Sequence, residues 1–250
     1  MWEDRRALSG LDLPGRRRVL DVGCGTGELT RVLREESGAA VVGLDADRTL
    51  LAEVEPPRVL GDGTRLPFTD DAFDLVVCQA LLINLPDPAA AVSEFARASS
   101  DLVAAVEPDN TAVSVDSTVE AESRLARRAR AAYIDGLATD VALGASANDL
   151  FDAAGLTDVT TTRHVHRRSI DPPYGESAIE GAARKASGER LAKQRETMLV
   201  GGLSIAEYDE LRSAWREMGR DVIAQMLRQV STAVGEGELC ADQDRRGQSH

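Results

Sequence analysis

Lysine is almost missing from this chain. Lys185 and Lys193 are the only two, and every other basic residue is arginine. Aromatic residues make up just 4%, and cysteine occurs three times, as Cys24, Cys78 and Cys240. The cysteines are odd in number and widely spaced, with no CxxC pair or histidine cluster beside them. That excludes a disulfide framework and a zinc site as expectations and points to a reducing, cytoplasmic compartment. No segment approaches the roughly 18 consecutive apolar residues of a membrane helix. The first ten residues, MWEDRRALSG, lack the apolar stretch of a secretory signal. Positive charge is also in deficit: 29 Lys+Arg face 42 Asp+Glu, a net charge of −13. Such a surface repels phosphate backbones, so neither nucleic acid nor an anionic membrane is an expected partner.

What is present suits a globular protein. Hydrophobic residues make up 43% and charged residues 28% of 250 positions. This is enough for a sizeable core in one large domain, or one domain with an appendage. From residue 19 to 108, short apolar runs alternate with segments of helical spacing. Strands are expected at Val19–Val22, Ala40–Leu44, Arg58–Leu60, Phe73–Cys78 and Leu102–Val106. Helices are expected at Thr26–Glu36, Thr49–Val54 and Pro88–Ala98. Apolar runs without polar alternation fit parallel strands buried on both faces. The rhythm predicts an α/β, Rossmann-like, doubly wound sheet. Beyond 110 the spacing turns helical at 115–135, 147–154, 176–199 and 204–227. The alternating stretch VTTTRHVHR (159–167) predicts a strand, residues 229–234 a returning strand, and the polar tail 236–250 disorder.

The richest segment is VLDVGCGTGELT, residues 19–30. A strand runs through Gly23, Gly25 and Gly27 into a helix, where glycines allow a tight turn and the helix N-terminus offers free N–H donors. The dinucleotide fingerprint is GxGxxG, whereas the spacing here is GxGxG. Asp21, two residues ahead of the loop, opposes a pyrophosphate but can face an ammonium. Asp45 ends the second strand, where a carboxylate can take ribose hydroxyls, a feature that serves NAD equally well. Asp62, between Gly61 and Gly63, can accept a bond from an adenine amino group.

In the order VLDVGCGTGELT, VVGLDAD, GDGTRLPFTDDAFDLVVCQALLINLPDP and AVEPDN, these segments resemble a class I S-adenosylmethionine-dependent methyltransferase. The resemblance covers about residues 19–110. It implies a seven-stranded, mostly parallel sheet, with helical insertions here toward the C-terminus, and S-adenosylmethionine as cofactor. It implies Asp21, Gly23 and Gly25 at the methionine end, Asp45 at the ribose, Asp62 and Gly63 at the adenine, and Gln79 near the methionine end or the transferred methyl. On this basis a cofactor domain is expected over 1–170 and a helical insertion or substrate lid over 171–228. A strand would return at 229–235. The expected activity is methyl transfer to a small molecule by in-line displacement, in a monomer or homodimer. An NAD-dependent oxidoreductase and a non-catalytic S-adenosylmethionine-binding protein are the alternatives.

The catalytic residue is left open. Gln79, Asn84, Glu107 and Tyr133 are candidates, with Asn84 standing where relatives often carry a histidine. Glu107 and Asp109 either orient an acceptor or bond nearby backbone. His164 and His166 share one face of the expected sixth strand but have no third ligand in view, so no metal site is expected. Arg124, Arg127, Arg128 and Arg130 read as a solvated helix face. Cys24 and Cys78 read as small apolar fillers. The excess of carboxylates with scarce lysine resembles proteins of salt-accumulating microbes, with a high-GC genome as the other explanation.

Overall fold

The buried pattern of the first hundred residues produces a parallel sheet. A computed structural model describes residues 5–141, 143, 147–165 and 167–246, with side chains as far as 228. The chain divides into two units, one of residues 1–112 with 138–165, the other of 113–137 with 166–250.

In the first unit the strands are β1 (Arg18–Val22), β2 (Ala40–Asp45), β3 (Arg58–Leu60), β4 (Phe73–Gln79) and β5 (Ser99–Val106). Their order is β3-β2-β1-β4-β5, and every pairing is parallel. All the C-terminal strand ends therefore lie along one edge. Connections from β1 run outward through β2 to β3, and the chain then crosses back to β4 on the other side of β1. That reversal is the crevice where open α/β sheets bind ligands.

Alternation along β1 and β4 feeds two cores. Leu20, Val22, Leu44, Val76 and Cys78 join Phe95 and Ala91 of α3 (Pro88–Ala98) on one face. Val19, Val41, Leu75 and Val77 join Leu29, Val32 and Leu33 of α1 (Glu28–Ser37) on the other. Leu8 and Leu11, from a 3-10 turn at Arg6–Leu11, complete that second layer. Caps explain the helix starts. Gly27 enters α1 at φ 83°. Asp47 accepts from Thr49 and Leu50 at the short α2 (Arg48–Leu51). Asp87 accepts from Ala90 ahead of Pro88 at the first turn of α3.

The second unit is helical. It takes α4 (Glu120–Asp135), which precedes α5 (Ala147–Ala153) of the first unit. It continues through α6 (Glu176–Ala186), α7 (Glu189–Lys193), α8 (Arg195–Val200) and α9 (Ile205–Arg246). The expected helix over 176–199 is thus three pieces, broken where Gly188 adopts φ 70° and again at Gln194. Leu125, Ala129 and Ala132 of α4 pack with Leu191, Met198, Tyr208, Leu211 and Met218. The Tyr208 hydroxyl donates to the Leu191 carbonyl at 3.1 Å.

Two expected strands did not form, and the sheet described has five strands rather than seven. Residues 159–165 and 167 have no strand structure. Their alternation carries too little apolar surface to hold an edge: Val165 is 79% exposed, and Thr160, Thr161 and Thr162 are exposed. Residues 229–234 lie inside α9, so the expected return and the first part of the expected tail are helical in backbone. Extending an existing helix adds one hydrogen bond per residue fixed, without a new nucleus. This overrides the strand propensity of Val230, Thr232 and Val234. The boundary expected at 170 also misses that α4 belongs with the second unit.

Glycine separates two kinds of position in this unit. A Cβ on Gly136 would lie 1.8 Å from the Thr197 carbonyl oxygen, whereas one on Gly181, inside α6, meets nothing within 4 Å. Gly136→Ala should therefore lower stability by about 1–3 kcal/mol or more. Gly181→Ala should raise it by about 0.5–1 kcal/mol through helix propensity. Chemical denaturation of both variants checks the opposite signs.

Candidate functional site

The loop after β1 is built from backbone requirements. Gly23, Gly25 and Gly27 adopt φ of 71°, 55° and 83°. In this left-handed region a side chain is strained. At Gly23 a Cβ would also sit 2.8 Å from Leu81 Cδ1, while at Gly25 it would meet nothing within 4 Å. Gly25 thus faces open space, room in which a ligand can approach backbone. The N–H groups of Gly23 and Cys24 both donate to the Leu44 carbonyl, which fastens the loop across the end of β2.

Asp21 lies behind this loop and is 1% exposed. Its Oδ2 accepts from the Thr30 hydroxyl at 2.6 Å. Its Oδ1 is buried without a hydrogen-bond partner. Burial, with the nearby Asp45 charge as a smaller contribution, pushes the carboxyl up to about 7, while the Thr30 hydroxyl and Arg34 oppose the shift. A buried carboxylate short of a donor is the group that an incoming ammonium would satisfy.

Asp45 does more than terminate β2. One oxygen accepts from the Gly25 N–H at 2.7 Å and the other from the Asp47 N–H at 2.8 Å. Each carboxylate oxygen has two lone pairs, so the loop contacts leave capacity for a ligand hydroxyl. Asp62 is exposed and accepts from the backbone and hydroxyl of Thr64, which hold its carboxyl below the usual range. A Cβ on Gly63 would lie 3.1 Å from Val22 and 3.6 Å from Leu81, so the Asp62 turn abuts the end of β1. Gln79 is half-buried at the end of β4, opposite Val106 of β5.

Asp21, Gly23, Gly25, Asp45, Asp62, Gly63 and Gln79 thus come together along one edge of the sheet, around the reversal between β1 and β4. The residues fit S-adenosylmethionine on three observations of this structure: an orphaned buried acid, an open glycine and a second acid at the neighbouring strand end.

The catalytic candidates sort differently. Asn84 is exposed and its amide donates to the Ala80 carbonyl at 2.7 Å, a turn-closing role. The Glu107 carboxylate faces backbone, accepting from Leu81 and Leu82 at 3.0 Å each and from Ile83 at 3.3 Å. Burial raises its carboxyl, against the pull of those three N–H groups. Asp109 caps its own turn through Thr111 and Ala112, and Arg163 lies 3.9 Å away. Tyr133 belongs to the second unit, half-buried beside the core of α4. Cys24 and Cys78 are buried, and burial pushes their thiols up, Cys24 to about 12. Both are small buried side chains, and the Cys78 thiol also donates to Glu107 Oε1 at 3.7 Å. His166, Trp2, His250 and the Cys240 side chain lie outside the described residues. Among the described residues no group of three or more His, Cys, Asp or Glu could hold a metal.

Three contributors were not anticipated. Thr30 is a polar residue on the otherwise apolar buried face of α1, a signal that a buried partner awaits it. Leu81 touches the space beside both Gly23 and Gly63. Ala80, between Gln79 and Leu81, takes φ 49°. For a non-glycine residue this is strained, and such strain gathers at functional sites. Nothing local in the sequence marks Ala80 or Leu81.

Residues 20–101 match the family described as "Methyltransferase domain". Over that span the chain is similar to S-adenosylmethionine-dependent methyltransferases. The chain is 35% identical over 99 residues to methyltransferase GfsG of Streptomyces halstedii, covering 35% of this chain and 35% of the relative. It is 41% identical over 92 residues to the demethylmenaquinone methyltransferase of Mycolicibacterium paratuberculosis, covering 36% of this chain and 40% of the relative. The chain therefore spans well under half the length of these curated relatives. An S-adenosylmethionine-dependent methyltransferase from Mesorhizobium loti, solved by crystallography, matches at TM-score 0.32 and 29% identity, over 36% of this chain and 44% of that one.

Asp21 makes the site sensitive to pH. Its folded carboxyl lies near 7 against an ordinary 3.8. Between those values the folded chain keeps a proton that the unfolded chain releases. Its contribution to stability is therefore full below about pH 4 and is lost as pH rises toward 7, on the order of 4 kcal/mol. Asp21→Asn should flatten that decline. Urea unfolding of both proteins at pH 5 and pH 8 should show the variant gaining relative stability at pH 8.

Proposed function

We propose that the chain transfers a methyl group from S-adenosylmethionine to a small-molecule acceptor. The observation that carries this reading is the half-satisfied Asp21 carboxylate behind the GxGxG loop, at the reversal of strand order. An acid there suits a ligand whose near end is a cationic amino acid and whose far end is a nucleoside. It disfavours the pyrophosphate of NAD.

Asp21 and the backbone of Gly23 and Gly25 hold the methionine end, with Thr30 fixing the Asp21 carboxylate from behind. Asp45 holds the ribose. Asp62 and the Gly63 N–H meet the adenine, and Gln79 lies toward the reacting methyl. When bound, S-adenosylmethionine supplies a methyl already activated by its sulfonium. The protein's work is then to position and align the acceptor and exclude water. Asn84 and Glu107 are engaged with backbone of the loop after β4, which favours an acceptor needing little general-base help, such as an amine or thiol.

The family match lies wholly in the first unit, so acceptor choice is assigned to the rest of the chain, with residues 171–228 as the substrate-selecting segment. Quinones are a further candidate acceptor class, because some relatives are named for demethylmenaquinone. The surplus of acid beyond Asp21, Asp45 and Asp62 is read as a solvation device for high salt.

Asp45→Ala should weaken S-adenosylmethionine binding at least tenfold, about 1.4 kcal/mol, through lost charge-assisted hydrogen bonds. Isothermal calorimetry checks this, with NADH as the control. Saturable NADH binding without S-adenosylmethionine binding would overturn the assignment. Lowering KCl should lower the melting temperature, as self-repulsion among unscreened carboxylates grows.

A further inference from the structure

Glu107 reaches from the end of β5 to a short segment after β4 and takes three consecutive backbone donors there. Oε1 accepts from the N–H groups of Leu81 and Leu82, and Oε2 from Ile83. These N–H groups open the single 3-10 turn Leu82–Asn84, whose first donors have no partner within the turn. The carboxylate thus caps the turn from a neighbouring strand, as an N-cap side chain would from within the chain. Asn84 closes the other side by donating to the Ala80 carbonyl. Between these two clamps Ala80 is kept at φ 49°, and Leu82 and Ile83 are buried, at 1% and 7% exposed.

Leu81 is left facing the glycines. A Cβ on Gly23 would lie 2.8 Å from its Cδ1 and one on Gly63 3.6 Å from its Cδ2. It stands between the residues assigned to the two ends of the cofactor. A leucine in a mobile turn could not keep that register.

We propose that Glu107 is a positioning residue: by capping residues 81–83 it holds Leu81 as the wall shared by the glycine loop and the Asp62 turn. The reference to cofactor rests on the methyltransferase reading, whereas the wall itself does not. Glu107 touches backbone and the Cys78 thiol, which donates to Oε1 at 3.7 Å, and its influence on a ligand passes through Leu81.

Two measurements on the full chain test this. Amide exchange is compared in the wild type and Glu107→Gln, which retains one acceptor oxygen for Leu81 and Leu82 and loses the one for Ile83. Exchange should quicken at 81–83 and also at Gly23–Gly25, whose side of the wall loosens with Leu81. Unchanged protection at Gly23–Gly25 overturns the proposal, whether or not the chain binds any cofactor. The second measurement is a double-mutant cycle on the Kd for S-adenosylmethionine. Glu107→Gln and Leu81→Ala should each weaken binding, by about tenfold for the larger effect. The double variant should fall within about twofold of the worse single, because both remove one wall. Fully additive losses, or an unaltered Kd in Glu107→Gln despite faster exchange, overturn it. A purely structural Glu107 would lower the melting temperature and leave Kd unmoved at temperatures well below it. A wild type that does not bind S-adenosylmethionine sinks the methyltransferase reading instead, and the exchange result then decides the wall alone.

Discussion

The central position of β1 constrains everything around it. It pairs in parallel with β2 on one side and β4 on the other, and both faces are covered, so every residue from Val19 to Val22 is withdrawn from water. Four residues in that position would ordinarily be apolar. The third is Asp21. Placing a carboxylate there carries a desolvation penalty of several kcal/mol unless it is neutralised or paired. The structure offers one hydroxyl, from Thr30, and leaves the second oxygen orphaned. A fold that tolerates this has an acid whose charge state depends on what arrives beside it, and perturbed groups of this kind mark functional sites.

The same carboxylate chemistry recurs at the ends of the neighbouring strands with different consequences. Asp45 is tied to the Gly25 and Asp47 N–H groups. Asp62 stays exposed and ionised, steadied by Thr64. One buried acid, one half-buried and one exposed thus follow the edge of the sheet from β1 to β3. The gradient matches a ligand that is cationic at one end and hydrogen-bonding along the rest. The net charge of −13 is a separate matter, since three acids account for little of it.

Beyond β1, the other side of the reversal is organised by backbone rather than by charge. The segment from Ala80 to Asn84 carries a strained residue, a single 3-10 turn and one apolar side chain against two glycines. Its donors are satisfied by Glu107 at the end of β5, 24 to 26 residues further along the chain and outside any short-range pattern. Glu107 therefore couples the β5 end to the glycine loop through Leu81, and the loop's conformation becomes a property of the whole sheet edge.

Local chemistry was enough to place the five strands of the first unit, their parallel sense and the glycine loop. Short runs such as Leu75–Cys78 suit strands buried on both faces, and Gly23, Gly25 and Gly27 allow positive φ. The placement of the seven candidate residues along one sheet edge was legible for the same reason: each is an acid, glycine or amide in or just after the C-terminal part of a strand. The state of those groups was not. Whether Asp21 is paired, which oxygens of Asp45 are occupied, and that Glu107 caps a turn instead of facing an acceptor depend on burial and on partners distant in sequence. The expected strands at 159–167 and 229–234 failed on the same ground. Alternation and β-propensity describe a surface that fits a sheet. Only tertiary structure decides whether an edge pairs with it, and in the second case helix propagation from α9 took the segment first.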